Sequence, residues 1–207
     1  FTKDEVSTLL YYMIFGCIIG ARLGHCLFYE PSYYMHNLME VLMVWKGGLA
    51  SHGGFAGVAL AVFLFNKRVK KISYMWLLDL VAAPSLMTGG FIRFGNLMNS
   101  EILGKPSDVP WAMVFPKDPS GLARHPSQLY EALLEGLVLF AILFVTRVKF
   151  PKLANGMLTG MFFLFYAIFR IIVENYREPD RGQALVWSLT KGQFYSIFMV
   201  VAGLAFI

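Results

Sequence analysis

Long apolar stretches alternate with short polar segments along almost the whole chain. A helix needs about 20 mostly apolar residues to cross the hydrocarbon core of a bilayer. Six stretches approach or exceed that length, and we predict a membrane-spanning helix in each of them. Their ranges are 6–28, 49–66, 74–98, 127–146, 156–173 and 193–207. The pattern therefore predicts an all-α integral membrane protein: a polytopic bundle of six spans with a small external cap, forming one transmembrane domain over residues 1–207.

Composition agrees with this prediction. Of the 207 residues, 57% are hydrophobic and only 15% are charged, and the mean hydropathy is +0.58. Soluble domains have about 25% charged residues. These values exclude a soluble enzyme, a disulfide-rich secreted module and a disordered tail. Cys17 and Cys26 both lie in the first apolar stretch, and we interpret them as packing residues rather than as a disulfide.

The basic residues predict the orientation. Much of the net charge of +5 comes from two short loops, and short basic loops stay on the cytoplasmic side. The residues are Lys67, Arg68, Lys70 and Lys71, followed by Arg147, Lys149 and Lys152. Alternation then places segments 30–48, 99–126 and 174–192 outside. We expect 30–48 to lie at the membrane interface and 99–126, with its five prolines, to form an external loop. No basic face suggests nucleic-acid binding.

Glycines recur at four-residue spacing in three of the stretches. Gly16, Gly20 and Gly24 form one series, Gly53 with Gly57 forms a second, and Gly156 with Gly160 forms a third. Small residues on one face allow neighbouring helices to approach closely. Helix packing accounts for these glycines without a functional role.

Ionisable residues inside apolar stretches are the candidates for function. A lone charge in the bilayer costs from about 3 to over 10 kcal/mol, so each must face a partner, water or a ligand. The residues are Arg22, His52, Asp79, Arg93, Glu131, Glu135, Arg170 and Glu174.

One group shares a helical face. Arg170, Glu174 and Arg177 follow at i, i+4 and i+7, and Tyr166 extends the same stripe. Two guanidinium groups around one carboxylate leave an excess of positive charge, which suits a phosphate. An internal ion-pair network that only orients the helix would show the same residues.

Arg93, Asn96 and Asn99 form a second group with a spacing of three. An arginine with amide side chains can bind a phosphoester or glycerol hydroxyls. A capped polar loop would give a similar pattern, so this group alone leaves both interpretations open.

Two further motifs begin spans. His52 precedes Gly53 and Gly54; this histidine is either a structural hydrogen-bonding residue or a catalytic one. In 124–131, a proline-initiated helix start carries Glu131. This residue is either a buried carboxylate in a capped helix start or, with Glu135, a partner of an arginine from another span. No pair of histidines has zinc-ligand spacing.

Together these motifs resemble the prolipoprotein diacylglyceryl transferase family over essentially the whole chain. The family signature Gly-Arg-x-Gly-Asn-Phe-x-Asn-x-Glu-x-x-Gly is matched at six positions. These are Arg93, Gly95, Asn96, Asn99, Glu101 and Gly104. Ile92 and Leu97 replace the signature Gly and Phe and leave the polar set intact. The other matching stretches are 20–24, 52–54, 124–131 and 166–180.

The resemblance implies a bacterial inner-membrane enzyme with its active site toward the outer face. Its partners would be phosphatidylglycerol, the lipobox peptides of prolipoproteins and membrane lipids, with no nucleic acid. The diacylglyceryl group would pass to the lipobox cysteine, forming a thioether and releasing glycerol phosphate, without a metal or other cofactor. The family has seven spans, so we expect this chain to lack the first and to be a fragment or a processed form.

The resemblance also implies roles for individual residues. Arg93 and Arg170 would hold the lipid phosphate, Arg177 would guard the entrance, and His52 would be the base for the thiol or position the headgroup. Arg22 and Tyr166 would contribute to substrate binding, and apolar grooves would admit the acyl chains. The glycerol portion would be bound or oriented by Asn96, Asn99 and Glu101. The orientation of the arginines would be set by Glu131 and Glu174. The competing function is a non-catalytic phospholipid-binding or transport protein.

Overall fold

The computed structural model describes residues 2–69, 72–178 and 190–207, without the side chains of Ser51, His52 and Lys191. Lys70, Lys71, Asp180 and most of segment 174–192 therefore lie outside the described residues. The longer helices are α1 (Lys3–Phe28), α3 (Ser51–Val69), α4 (Tyr74–Met98), α6 (Leu139–Lys149), α7 (Met157–Glu174) and α8 (Lys191–Phe206). The shorter elements are α2 (Pro31–His36), 3₁₀ turns at Leu38–Leu42 and Val44–Lys46, strands β1 (Met113–Val114) and β2 (Ala123–Arg124), α5 (Ser127–Glu131) and a π-helix (Ala132–Val138).

All six apolar stretches are helical, which confirms the predicted all-α membrane architecture. Four helices in the described residues are long and apolar enough to cross a membrane: Lys3–Phe28, Tyr74–Met98, Ser127–Lys149 and Met157–Glu174. The third runs continuously through α5, the π-helix and α6. Ser51–Val69 is a helix of 19 residues outside that set, and Gly192–Phe206 is a shorter apolar helix.

The chain divides into two compact units, Phe1–Leu78 and Asp79–Ile207. In the first, α1 packs against α3 through glycines. A Cβ atom placed on Gly57 would lie 2.0 Å from the carbonyl oxygen of Gly16, and one on Gly53 would lie 2.2 Å from that of Gly20. The two backbones are thus in direct contact, as the glycine spacing predicted. Gly54 differs, because a Cβ there would make an ordinary 3.4 Å contact with Cys17.

The second unit has an apolar core between α4, α6 and α7. Its buried residues are Ala82, Leu86, Leu139, Leu143 and Leu158. On its other side α7 packs against α8 at a second close approach, where Gly160 lies opposite Gly203. The core fixes how α7 is packed, and α7 carries part of the candidate site.

Asp79 of α4 caps the beginning of α7. Its carboxylate is buried and accepts hydrogen bonds from the backbone N–H groups of Gly156 and Thr159, each at 2.8 Å, and from the Thr159 hydroxyl at 2.7 Å. The first N–H groups of a helix have no partner within it, and an anion at this end also complements the helix dipole. Gly156 has φ +98° and supplies no side-chain cap. A residue from a neighbouring helix therefore performs the capping.

Segment 99–126 is a loop of the second unit and contains the two-stranded antiparallel sheet. Met113 pairs with Arg124, and Val114 pairs with Ala123. Ser100 and Ile102 have φ +57° and +54°, a region that non-glycine residues adopt only at a cost of about 1–3 kcal/mol. Both lie directly after the end of α4, where the chain turns sharply into the loop.

Replacing Gly57 with Ala is expected to destabilise the first unit by about 1–3 kcal/mol, because the added methyl group overlaps the Gly16 backbone and forces the helices apart. Denaturant unfolding in detergent measures the change. Gly54→Ala, in the same helix but with room for the methyl group, is the control and should change stability by less than about 1 kcal/mol. Equal losses in the two variants would contradict the close helix contact.

Replacing Asp79 with Ala is expected to weaken the start of α7, because two buried N–H groups lose their acceptor at about 1–3 kcal/mol each. Thermal unfolding in detergent, with amide hydrogen exchange of residues 156–160, reports the change. Ser85→Ala is the control, since the Ser85 hydroxyl donates to a carbonyl oxygen of its own helix, that of Ala82. Unchanged exchange at the start of α7 in Asp79→Ala would contradict the capping role.

Candidate functional site

A buried carboxylate joins two arginines in the second unit. Glu131, at the end of α5, is fully buried; its Oε2 lies 2.6 Å from Nε of Arg93 on α4, and its Oε1 lies 2.7 Å from Nη1 of Arg170 on α7. Three helices thus contribute one charged group each. The sequence left two interpretations of Glu131 open. The structure shows that Glu131 is a partner of arginines from other helices.

Further ion pairs continue along α7. Glu135 lies 3.6 Å from Arg170, and Glu174 lies 3.2 Å from Arg170 and 3.9 Å from Arg177. Tyr166, one turn before Arg170, interacts with Glu135. The shared face of Arg170, Glu174 and Arg177 is as the sequence predicted. Glu135, which the sequence suggested as a partner of an arginine from another span, belongs to the same cluster.

The predicted excess of positive charge is not present in this cluster. The prediction rested on the charges of one helix, but the fold also brings Glu131, Glu135 and Arg93 into the cluster. The described cluster therefore contains three arginines and three glutamates. A balanced network is stable within a membrane without a ligand, because each charge has an opposite neighbour.

The cluster lies where helix ends meet. Arg93 and Arg170 are each within the last two turns of their helices, while Glu131 is within the first two turns of the span that begins at Ser127. Cations are favoured at helix C-termini and anions at N-termini. The helix dipoles therefore complement the pattern of charges.

Two amide side chains that are close in sequence to this cluster, those of Asn96 and Gln128, form hydrogen bonds to Glu101 of the 99–126 loop. Asn96 donates from Nδ2 to Glu101 at 2.9 Å, and Gln128 donates from Nε2 to the carbonyl oxygen of Glu101 at 2.6 Å. The Oδ1 atom of Asn96 is buried and accepts no hydrogen bond from the residues that the structure describes. Asn99 is exposed. Gln128 was not among the predicted site residues, although it lies in the 124–131 motif.

Arg124 connects several parts of the 99–126 loop. Its buried guanidinium pairs with Asp118 at 2.6 Å, donates to the carbonyl oxygen of Gly104 at 3.1 Å and pairs with Glu178. Hydrogen bonds from Ser120, followed by that from Arg124, lower the pKa of Asp118 to about 2. The sequence did not predict this network, because its members lie far apart along the chain, from Gly104 to Glu178. Arg124 itself belongs to the 124–131 motif.

The loop is also joined to the chain that follows α7. Gly104 pairs with Arg177 in an isolated β-bridge, and the Lys105 and Glu178 amides donate to the carbonyl oxygens of Tyr176 and Leu103. A Cβ on Gly104 would lie 2.1 Å from the carbonyl oxygen of His125, which explains why the signature has glycine there. The loop thus connects the ends of α4 and α7, which carry the two arginines.

Two predicted site residues belong to the first unit. Arg22 is buried, and its guanidinium donates to backbone carbonyl oxygens of segment 30–48. His52 lies in the first turn of α3, and its side chain is outside the described residues. Within residues 2–69, 72–178 and 190–207, no group of three His, Cys, Asp or Glu side chains is arranged to hold a metal ion.

Comparison with known proteins gives the family. The family model of prolipoprotein diacylglyceryl transferase matches residues 1–207. Proteins named phosphatidylglycerol–prolipoprotein diacylglyceryl transferase are similar to the chain in Pseudomonas syringae pv. syringae (48% identical over 100% of the chain and 77% of that protein), in Nitrosomonas europaea (44%, 99% and 73%) and in Bordetella parapertussis (44%, 98% and 76%). The chain therefore belongs to the prolipoprotein diacylglyceryl transferase family.

Proposed function

We propose that this transferase moves the sn-1,2-diacylglyceryl group of phosphatidylglycerol to the lipobox cysteine thiol of a prolipoprotein. The thiol loses its proton to a base, and the sulfur forms a C–S bond to the glyceryl carbon. The C–O bond to the phosphate breaks, and its electron pair leaves with glycerol phosphate. The main support for this proposal is the position of the Glu131 carboxylate between Arg93 and Arg170. This carboxylate keeps two guanidinium groups close together, where both can bind one phosphate.

Arg93 and Arg170 bind the lipid phosphate in this proposal. The pair with Glu131 uses the Nε of Arg93, and 23% of the Arg93 side chain remains exposed, compared with 11% for Arg170. Planar guanidinium groups suit phosphate oxygens. When the C–O bond breaks, the leaving phosphate gains negative charge, and fixed cations in a low-dielectric setting stabilise that charge strongly.

Glu131, Glu135 and Glu174 keep these cations in place before the lipid binds. Because Glu131 pairs with Arg93 and Arg170, and Glu174 pairs with Arg170, these carboxylates restrict the orientation of the guanidinium groups. Preorganised charge costs no rearrangement during the reaction. Arg177, at the end of this chain of pairs, is placed at the entrance to the site.

Asn96, Asn99 and Glu101 bind the glycerol headgroup. The buried Oδ1 of Asn96 is an acceptor that a glycerol hydroxyl can satisfy. Glu101 fixes the orientation of the Asn96 amide through the bond at 2.9 Å. Tyr166 supports the cluster through Glu135. In this proposal His52 accepts the thiol proton, because an imidazole suits a general base near neutral pH.

An apolar groove beside Arg93 accommodates an acyl chain. It has a volume of about 320 Å³ and is lined by Met87, Gly90, Phe91, Phe94, Ala132, Gly136 and Leu137. Gly90 lies one turn before Arg93, and Ala132 follows Glu131 directly. A lipid whose phosphate is at Arg93 can therefore extend a hydrocarbon tail along this groove, where burial is favourable.

The membrane arrangement proposed here has six spans, with 30–48 and 99–126 on the outer side of the bacterial inner membrane and residues 1–207 forming one catalytic domain. Two observations support it. Arg93, Glu131 and Arg170 lie at the helix ends joined by the 99–126 loop, whereas Arg147 and Lys149 lie at the opposite end of the Ser127–Lys149 span. Basic residues at that end favour the cytoplasm. Prolipoproteins and membrane lipids then reach the site from outside and from the bilayer.

Replacing Arg170 with Lys should lower transfer of the diacylglyceryl group at least about 100-fold, because lysine keeps one charge but loses the fixed fork that stabilises the leaving phosphate. Mass spectrometry of a lipobox peptide incubated with protein and phosphatidylglycerol measures the product on cysteine. Lys149→Ala is the control, since it removes an exposed cation at the opposite end of its span and should leave turnover unchanged.

Phosphatidylglycerol binding without any product, by the unsubstituted protein under the same conditions, would contradict transfer and favour a lipid-binding or transport protein. Normal turnover by folded Arg170→Lys would contradict the assignment of the phosphate site.

Replacing Ala132 with Phe should fill the groove and shift the enzyme toward short acyl chains. We expect the kcat/KM ratio of dipalmitoyl over dioctanoyl phosphatidylglycerol to fall about 10-fold, in line with the energy of a few methylene groups in an apolar site. Leu133→Phe, at a neighbouring lipid-exposed position outside the groove, is the control. An unchanged ratio in active Ala132→Phe would show that the acyl chains lie elsewhere.

A further inference from the structure

Arg22 is surrounded by backbone rather than by ligand-accessible space. Arg22 is only 3% exposed. Nε donates to the carbonyl oxygen of Val41 at 3.0 Å, Nη1 to those of Gly47 and Gly48 at 2.5 and 3.1 Å, and Nη2 to that of Glu40 at 2.5 Å. An arginine has five N–H donors. Four hydrogen bonds to carbonyl oxygens use most of that capacity.

The face of the guanidinium is occupied as well. The Tyr34 ring centroid lies 5.0 Å from the Arg22 Cζ atom, a distance typical of a cation–π contact. The carboxylate of Glu40, in contrast, points to Lys46 and Tyr33, at 2.9 and 3.0 Å. Carbonyl dipoles and an aromatic face therefore compensate the charge of Arg22.

The carbonyl groups that Arg22 holds belong to the segment that leads into α3. This segment has little regular structure of its own: it consists of two short 3₁₀ turns followed by Gly47 and Gly48, with φ +85° and +72°. After this segment, a further hydrogen bond attaches the chain to α1: the Ala50 amide donates to the Ala21 carbonyl oxygen at 2.9 Å. Arg22 and its neighbour Ala21 thus attach residues 40–50 to α1.

We infer that Arg22 is a positioning residue rather than a ligand of the lipid phosphate. It clamps residues 40–48 to α1, and the clamped chain fixes where α3 begins and hence where the backbone of His52 lies. The inference rests on the proposed function insofar as His52 takes part in transfer. It differs from the substrate-binding role that the family resemblance suggested, because a residue whose donors bond to carbonyls has little capacity left for a phosphate.

The test uses two substitutions that disturb the clamp in different ways. Arg22→Lys keeps the charge but cannot reach four carbonyl oxygens with one ammonium group. Gly48→Ala keeps Arg22, but its methyl group would lie 2.8 Å from Nη1 of Arg22 and 2.7 Å from the His25 ring, at a φ unfavourable for alanine. Lys46→Ala, which removes an exposed cation of the same segment, is the matched control.

Amide hydrogen exchange and kinetics are measured on the whole protein in lipid nanodiscs. Both clamp variants should exchange residues 40–50 at least about 10-fold faster, which corresponds to about 1.4 kcal/mol of lost protection. The kcat for the lipobox peptide should fall about 10-fold or more, while KM for phosphatidylglycerol changes less than about 3-fold. Lys46→Ala should show neither effect.

A large rise in KM for phosphatidylglycerol in Arg22→Lys, with exchange of 40–50 unchanged, would overturn the inference and identify Arg22 as a lipid contact. Unchanged exchange in both clamp variants would overturn it as well. If even the unsubstituted protein forms no product, the proposed function fails, but the exchange of residues 40–50 still decides whether the clamp exists.

Discussion

The second unit depends on one buried carboxylate. Glu131 has no exposed surface and touches an arginine on each side, Arg93 at 2.6 Å and Arg170 at 2.7 Å. A buried pair that loses one partner destabilises a protein by about 3–5 kcal/mol, because the other charge is left uncompensated. None of the three residues is therefore replaceable independently, and their three helices must meet at this point. The same requirement that stabilises the fold places two guanidinium groups side by side.

The contact between Glu131 and Arg170 is one of two points at which α7 is attached to its neighbours. At the other point Asp79 of α4 caps the beginning of α7. Asp79 and Arg93 are separated by 14 residues of α4, about 21 Å along the helix. α7 is thus held at its start by Asp79 and near its end by Glu131. This double attachment limits sliding of α7, which matters because a displacement of about 1 Å can impair a catalytic arrangement.

Charge balance connects this architecture with the proposed chemistry. Three glutamates neutralise three arginines, so the cluster is stable before lipid arrives. A phosphate can then bind to guanidinium groups that are already oriented and partly desolvated, and they need not be recruited from water. In the first unit Arg22 illustrates the opposite use of an arginine. Its donors bond to backbone carbonyl oxygens, and we infer that it shapes the chain instead of binding an anion. Residue type alone does not separate these two roles.

The sequence by itself determined the helical membrane architecture, because spans of about 20 apolar residues have only one stable backbone state in lipid. It also determined the helix-packing role of Gly57 and the shared face of Arg170, Glu174 and Arg177, since these follow from local helical spacing. Only the tertiary structure decided the pairing of Glu131 with two arginines, the capping of α7 by Asp79, the link from Arg124 to Asp118 and Glu178, and the surroundings of Arg22. These contacts join residues from 6 to 80 positions apart. A helix period specifies which residues share a face, but not which face of another helix lies opposite, and that choice is made by packing the whole chain.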